Sequence, residues 1–206
     1  MDSVRTYFPE LTEQQLRQFV ALEGLYTDWN EKINVISRKD IGNLYQHHVL
    51  HSLAIAAFIR FRAGTQVLDV GTGGGFPGIP LAIMFPDVSF CLVDSIGKKV
   101  RVAADVAQQI GLTNVTCKHE RIEDEKETFD FVVSRAVMPL ADLIRLTRKN
   151  LSVKQRNAYP NGWICLKGGE MEHEILPFKH KTVVHELKND FHEPFFETKK
   201  IVYVSL

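Results

Sequence analysis

The sequence predicts a doubly wound, Rossmann-like α/β domain: a mostly parallel sheet covered on both faces by helices, preceded by a helical extension. Three observations carry this. From Thr65 onward, short apolar runs alternate with helix-like segments. The first run empties into a glycine-rich turn that opens a helix. The tail holds two strand-like runs, Lys181 to Leu187 and Lys200 to Ser205, with no helix between them, and an antiparallel hairpin is the economical way to join those two. The count is seven strands, the last antiparallel.

Residues 1 to 60 read as an N-terminal helical segment. Thr12 and Gln15 have the spacing of a capping box, and Leu16, Phe19 and Val20 begin an apolar stripe behind it. A second stripe runs through Ile41, Leu44, Tyr45, Val49, Leu53, Ala56 and Ile59. Arg60 to Gly64 reads as a hinge into the second unit, residues 61 to 206. There the buried strands are expected at Val67-Leu68, Val88 to Val93, Asn114 to Cys117, Phe129 to Val133 and Trp163 to Leu166. The clearest helix spans 97–110, with Val100, Ala103, Ala107 and Ile110 on one face, Ser95 near its start and Gly111 at its stop.

Bulk properties narrow the function. At 206 residues, 45% hydrophobic and 24% charged, the chain has the size and composition of a globular protein with one core and a small accessory element. No run approaches the ~18 apolar residues of a membrane span, and Met1 to Arg5 lacks the layout of a secretory signal. Cys91, Cys117 and Cys165 are far apart, as reduced structural thiols are. A monomer in the cytoplasm is the expectation. Lys+Arg and Asp+Glu are both 25, so net charge is zero. That excludes a protein that coats nucleic acid indiscriminately and leaves room for local basic patches. Lys98, Lys99 and Arg101 form one; Arg145, Lys149 and Arg156 belong to another, with no acid between 145 and 156. Both patches also read as solvated surface.

The segment Val67-Leu68-Asp69-Val70-Gly71-Thr72-Gly73-Gly74-Gly75-Phe76-Pro77-Gly78 is the most informative. Glycines permit positive φ and close approach of a ligand to backbone, and the free N–H groups of the following helix make an anion site. Pro77 and Pro80 suit a first helical turn, and Pro86 closes the helix. Gly73, Gly75 and Gly78 also satisfy the dinucleotide fingerprint, with Asp94 near the spacing of its ribose acid. Asp69 separates the two ligands. A carboxylate two residues before Gly71 would repel a pyrophosphate but suits the amino and sulfonium cations of S-adenosylmethionine. Asp94, ending the second strand, is placed for the ribose hydroxyls. Asp69, Gly71, Gly73, Gly75 and Asp94 are therefore expected at the cofactor, in the class I methyltransferase variant of the fold. Ile122 and Glu123, after the third strand, are expected to read the adenine edge; a solvated acidic loop is the other reading.

With these residues in place, the chain resembles the RsmG (GidB) family. The likeness runs nearly end to end: Trp29-Asn30 with Asn34, His48-Val49-Leu50, Asp69 to Pro80, Leu92 to Ser95, Gly97-Lys98-Lys99, Ser134-Arg135-Ala136 and Leu166-Lys167-Gly168. The Gly-Phe-Pro-Gly-Ile-Pro continuation and the Ser-Arg-Ala triplet make it more specific than a generic methyltransferase match. The resemblance implies methylation of N7 of a guanine in 16S ribosomal RNA, with 16S RNA or the small ribosomal subunit as partner. It carries Gly71, Phe76, Ile122, Glu123 and Arg135 over as cofactor contacts. His51 stands where the family usually has Asp, and Ser152 to Asn161 is longer than usual.

The stretch from Ser134 to Pro139 holds neither the Asn/Asp-Pro-Pro-aromatic motif of exocyclic-amine methylation nor a nucleophilic Cys. Guanine N7 offers an in-plane lone pair and no proton, so alignment suffices. Arg135 and Lys167, at carboxyl ends of strands, are the candidate catalytic residues, Arg135 holding cofactor and Lys167 donating to guanine O6; a solvated strand-end Lys is the alternative. Lys98, Lys99 and Arg101 are the candidate RNA contacts. His47, His48 and His51 lack a third ligand pattern for a metal, so no metal is expected; a buried hydrogen-bonded His48–Ser52 pair fits better. The competing functions are a methyltransferase for small molecules or proteins, a nicotinamide oxidoreductase and a non-catalytic RNA-binding module. The first prediction separates two of these by calorimetry. The protein should bind S-adenosylmethionine and not NADH, and Asp94→Ala should weaken that binding by roughly 1–3 kcal/mol; unchanged affinity would remove Asp94 from the site.

Overall fold

A computed structural model describes residues 1–37 and 39–206. The sheet has seven strands: β1 (Gln66–Val70), β2 (Ser89–Asp94), β3 (Val115–His119), β4 (Phe131–Arg135), β5 (Gly162–Gly168), β6 (Thr182–Glu186) and β7 (Lys199–Ser205). Their order is β3-β2-β1-β4-β5-β7-β6. The strands β1 to β5 pair in parallel, and β7 runs antiparallel to both its neighbours. The two tail strands thus pair as expected, with β7 inserted between β5 and β6. Burial explains the insertion. Ile201 to Val204 are buried on both faces, as an interior strand requires, whereas Val183 and Val184 of β6 are exposed. The joining segment is no simple turn, for it buries Leu187, Phe191 and Phe196.

The helices are α1 (Asp2–Tyr7), α2 (Glu13–Lys32), α3 (His51–Phe58), α4 (Gly78–Met84), α5 (Gly97–Gln109), α6 (Leu140–Thr147) and α7 (Glu172–Ile175). The capping box at Thr12 and Gln15 has both its halves. The Gln15 amide also donates to the carbonyls of Ile83 (2.9 Å) and Met84 (3.2 Å), so the cap fastens α2 to the end of α4. Gly111, at φ +71°, stops α5 as expected. Its start differs: Ser95 makes no cap, and Asp94 Oδ1 accepts from the Ile96 N–H at 2.8 Å. The second apolar stripe forms three kinds of helix in succession, a 3-10 turn at Ile41–Asn43, a π-helical stretch at Leu44–Leu50, and α3.

Apolar side chains fill both faces of the sheet. One face carries Phe19, Leu22 and Tyr26 of α2 together with Val67, Phe90 and Phe131. The other packs Leu140 and Leu143 of α6 on Leu68, Val132 and Trp163. Phe61, in the segment read as a hinge, is buried with Phe85 and Phe131 rings each 5.2 Å away. The helical segment therefore supplies one cover of the sheet.

Ser152 to Asn161 packs at the amino ends of the strands. Buried Asn161 donates to the carbonyls of Ser152 and Lys154, both at 2.8 Å. Arg156 donates to the Gly64 carbonyl (2.7 Å) and pairs with buried Asp130 (3.2 Å). Asn157 Oδ1 accepts from the Arg62 N–H. Arg156 of the second basic patch is thus spent on structure. If α2 is an integral cover, Phe19→Ala should cost about 3–5 kcal/mol. Urea unfolding should still show one transition; a separate early transition of the helical segment would contradict a shared core.

Candidate active site

A cleft of about 570 Å³ opens at the carboxyl ends of β1 to β4, where the order of the sheet reverses and this architecture binds ligands. Gly71, Gly73, Phe76, Asp94, Lys99, Ile122, Glu123 and Arg135 all line it. Asp69, Gly75, Lys98, Arg101 and Lys167 do not. Val35 and Ile36, from the loop after α2, complete one wall.

The glycine loop is shaped by what a side chain would strike. Gly71 has φ +67°, and a Cβ there would lie 2.2 Å from Val137 Cγ2. Gly73 has φ +58° with nothing within 4 Å, so its backbone faces the open cleft. Asp69, read as facing the cofactor's cations, lies behind this loop and is fully buried. Its Oδ2 accepts from the Thr72 hydroxyl (2.7 Å) and the Gly78 N–H (2.8 Å), while Oδ1 has no partner. A Cβ at Gly78 would sit 2.7 Å from the Leu92 side chain and 2.8 Å from Asp69 Oδ2, which explains the glycine. Burial pushes Asp69 up to about 7, against the hydrogen bonds from Thr72 and Gly78 and the charge of Arg135.

Asp94 joins two loops. Oδ2 accepts from the Gly73 N–H and Oδ1 from the Ile96 N–H, each at 2.8 Å. Its remaining lone pairs edge the cleft, where ribose hydroxyls would need acceptors. Across the cleft, buried Ile122 begins a 3-10 turn, and the carbonyl of Glu123 accepts from Lys149. The cleft thus offers open glycine backbone, the Asp94 carboxylate and the buried Ile122 at the head of an acidic turn, a set that fits S-adenosylmethionine.

Arg135 ends β4 with its guanidinium 5.2 Å from the centre of the Phe76 ring, and it donates to the His47 carbonyl at 3.3 Å. Burial lowers its pKa, opposed chiefly by Asp69. Behind Phe76 lies a cluster that the sequence reading missed in part. Asp40 accepts at one oxygen from His47 (2.5 Å) and at the other from His48 (2.7 Å). Burial, then Arg135, pushes His48 down to about 4. Burial, then Arg135 and Lys199, pushes His51 down to about 3. The Ser52 hydroxyl donates to the His48 carbonyl at 2.6 Å, so the expected side-chain pair is a side-chain-to-backbone bond. Tyr26, Asn30 and Asp40 went unread as site residues. The Tyr26 hydroxyl donates to the Gly74 carbonyl (2.7 Å), and Asn30 Oδ1 accepts from the Val35 and Ile36 N–H groups (both 2.9 Å). The only sequence signal for Asp40 was an acid shortly before two adjacent histidines.

Lys167 is turned away from the cleft. Its ammonium donates to the Met138 carbonyl and to Glu174, both at 2.9 Å, and its side chain is 9% exposed. It is neither a solvated lysine nor one that faces the cleft. Lys98 and Arg101 are exposed beside Lys99 on α5.

Comparison with known proteins decides among the remaining readings. Residues 12–202 match the model of the GidB family, described as rRNA small subunit methyltransferase G. The chain belongs to the GidB family. It is 72% identical over 200 residues to ribosomal RNA small subunit methyltransferase G of Bacteroides fragilis, covering 97% of each chain. It is 70% identical to the protein of that name from Bacteroides thetaiotaomicron, covering 98% of each. Among solved structures, a SAM-dependent methyltransferase from Aquifex aeolicus matches with a TM-score of 0.55 at 18% identity, covering 82% of this chain and 98% of that one. Fibrillarin from Aeropyrum pernix, solved with S-adenosyl-L-methionine, matches at 0.54 and 14%, covering 75% and 73%. At these identities the structures establish the fold alone, and it is the class I methyltransferase fold. The cofactor of this GidB-family fold is S-adenosylmethionine.

The two depressed imidazoles give a pH prediction. Both lie below their ordinary 6.5, so the unfolded chain binds more protons and their stabilisation, complete above pH 6.5, is lost as pH falls toward 4 and 3. Asp69 slopes the other way, costing stability as pH rises from 3.8 toward 7. In NMR titrations of the imidazole carbon-bound protons, His48 and His51 should stay neutral down to about pH 5. A midpoint near 6.5 for either ring would show that it is open to water.

Proposed function

We propose that the protein transfers a methyl group from S-adenosylmethionine to N7 of a guanine in 16S ribosomal RNA of the small subunit. The observation that carries this reading is the junction at Asp94: one carboxylate fixes Gly73 and Ile96 and still edges the cleft, beneath a backbone left open at Gly73. Near-complete alignment with ribosomal RNA small subunit methyltransferases supports the substrate.

When bound, S-adenosylmethionine supplies an electrophilic methyl on a sulfonium. The residues of this chain hold and shield rather than move protons. Phe76, braced by Arg135, forms an apolar wall; Ile122 and Glu123 border the adenine side, and Asp94 the ribose. Guanine N7 has no proton to lose, and His48, neutral and bound to Asp40, stands behind Phe76 with ring centres 5.4 Å apart. Alignment is therefore the main source of acceleration. Lys99 on the cleft, with exposed Lys98 and Arg101 on the same helix, is positioned to meet RNA phosphates. A single chain lines the cleft, which supports a monomer, and a ribosomal substrate supports a cytoplasmic setting. Among the described residues, no helix is long and apolar enough to cross a membrane.

The test is transfer of labelled methyl to small subunits from cells lacking the enzyme, with mass mapping of the modified nucleotide. Label should appear at one guanine, and reduction followed by aniline should cleave the strand there, as N7-methylguanine requires. Label in protein, or at an exocyclic nitrogen, would reject the assignment. The single-turnover rate should change by much less than about tenfold per pH unit near neutrality, since no general base is used; a tenfold rise that vanishes in His48→Gln would make that histidine the base.

A further inference from the structure

The ion pair between Lys167 and Glu174 lies outside the cleft, yet it is tied to the loop that walls one side of it. The loop leaves β4 at Arg135 and reaches α6 at Leu140. Ala136 takes φ +50°, a strained conformation for a residue with a side chain. Val137, though exposed, rests on Gly71, and Ala136, Val137 and Met138 all line the cleft. Such a turn persists only where its surroundings hold it.

Three bonds of 2.9 Å do so. The Lys167 ammonium donates to the Met138 carbonyl and to Glu174 Oε2. The same Glu174 oxygen accepts from the Leu140 N–H, the first of α6. Pro139 gives α6 no side-chain cap, so Glu174 of α7 supplies the missing acceptor, and an acid there also suits the helix dipole. Lys167 holds one end of the loop and Glu174 the other, and the two hold each other. Hydrogen bonds to Glu174 from Lys167 and Leu140 lower its pKa against the effect of burial, keeping it ionised.

We infer that Lys167 and Glu174 are positioning residues: together they latch the 136–139 loop over the cofactor cleft and set the alignment of methyl transfer, with neither touching the reacting atoms. The rate part of this inference rests on the methyl-transfer reading above; the latch itself does not.

The test uses the full chain with Lys167→Met, Glu174→Ala and the double variant. Amide exchange of Ala136 and Leu140, the bonded N–H groups of residues 136–140, should quicken at least about tenfold in each single variant while the β1 and β5 amides keep their protection. Single-turnover transfer to small subunits should fall about 10- to 100-fold. Affinity for S-adenosylhomocysteine should stay within about threefold, a kcat-type loss without a matching binding loss. The double variant should be no slower than the worse single one, and Glu174→Gln, which keeps an acceptor for Leu140, should be milder than Glu174→Ala. Unchanged exchange at 136–140 overturns the latch. Faster exchange with an unchanged rate overturns the positioning role, as does a multiplicative double variant. A loss of protection across the whole sheet would mean a merely structural pair. Should the parent protein transfer no methyl, the proposed function fails, and exchange together with S-adenosylhomocysteine affinity still decides the latch.

Discussion

Everything at the cleft depends on a carboxylate that the cleft does not expose. Asp69, one residue before the end of β1, lies beneath the glycine loop and draws Thr72 and Gly78 onto one oxygen. That closure fixes the point at which strand becomes loop and loop becomes helix. It in turn leaves Gly73 facing outward, where Asp94 from the next strand can reach its N–H. A buried, partly unpaired acid is costly in isolation. Here two hydrogen bonds and the positive charge of Arg135 offset only part of that cost, and the strands that carry Asp69 and Arg135 are coupled through one electrostatic arrangement.

The helical segment is the second half of the same construction. Tyr26 reaches Gly74 from the side opposite the cofactor, and Val35 presses on that glycine, where a Cβ would lie 2.2 Å from Val35 Cγ1. Asn30 pins the backbone of Val35 and Ile36, and Asp40 pins His47, whose carbonyl receives Arg135. Cofactor wall and helical cover are therefore one hydrogen-bonded body. His51 packs edge-on against Phe195 and Phe196 near the charges of Arg135 and Lys199. A neutral ring in such a place avoids burying an acid, at the expense of leaving two cations uncompensated from that side.

The parts legible in the sequence were those governed by local rules. Strand alternation, the capping box, the stop at Gly111 and the glycine turn depend on residues near one another in the chain, and each appears where it was expected. What escaped depends on contacts across the fold. The use of Gln15 on the end of α4, the insertion of β7 between β5 and β6, and the clamp of Asp40 on two histidines have no periodic signature. Asp69 and Lys167 were both singled out from their places at strand ends, but position along a strand does not say which way a side chain turns. In each case a nearer partner, Gly78 for the acid and Glu174 for the base, claims the charge before any ligand does. The π-helical stretch was equally hidden, since apolar spacing tolerates one extra residue per turn over so short a run.

The segment from Ser152 to Asn161 is anchored at both ends, by Asn161 at its close and by Arg156 and Asn157 to the strand entrances. Ahead of Arg156 in that segment, Val153 is 81% exposed. This region sits at the amino ends of the strands, the whole length of the sheet away from the cleft. It is accordingly a place where the polypeptide can carry a foreign loop, a dye or an affinity handle facing away from the cleft, so the enzyme can be tethered or watched while its working face stays free.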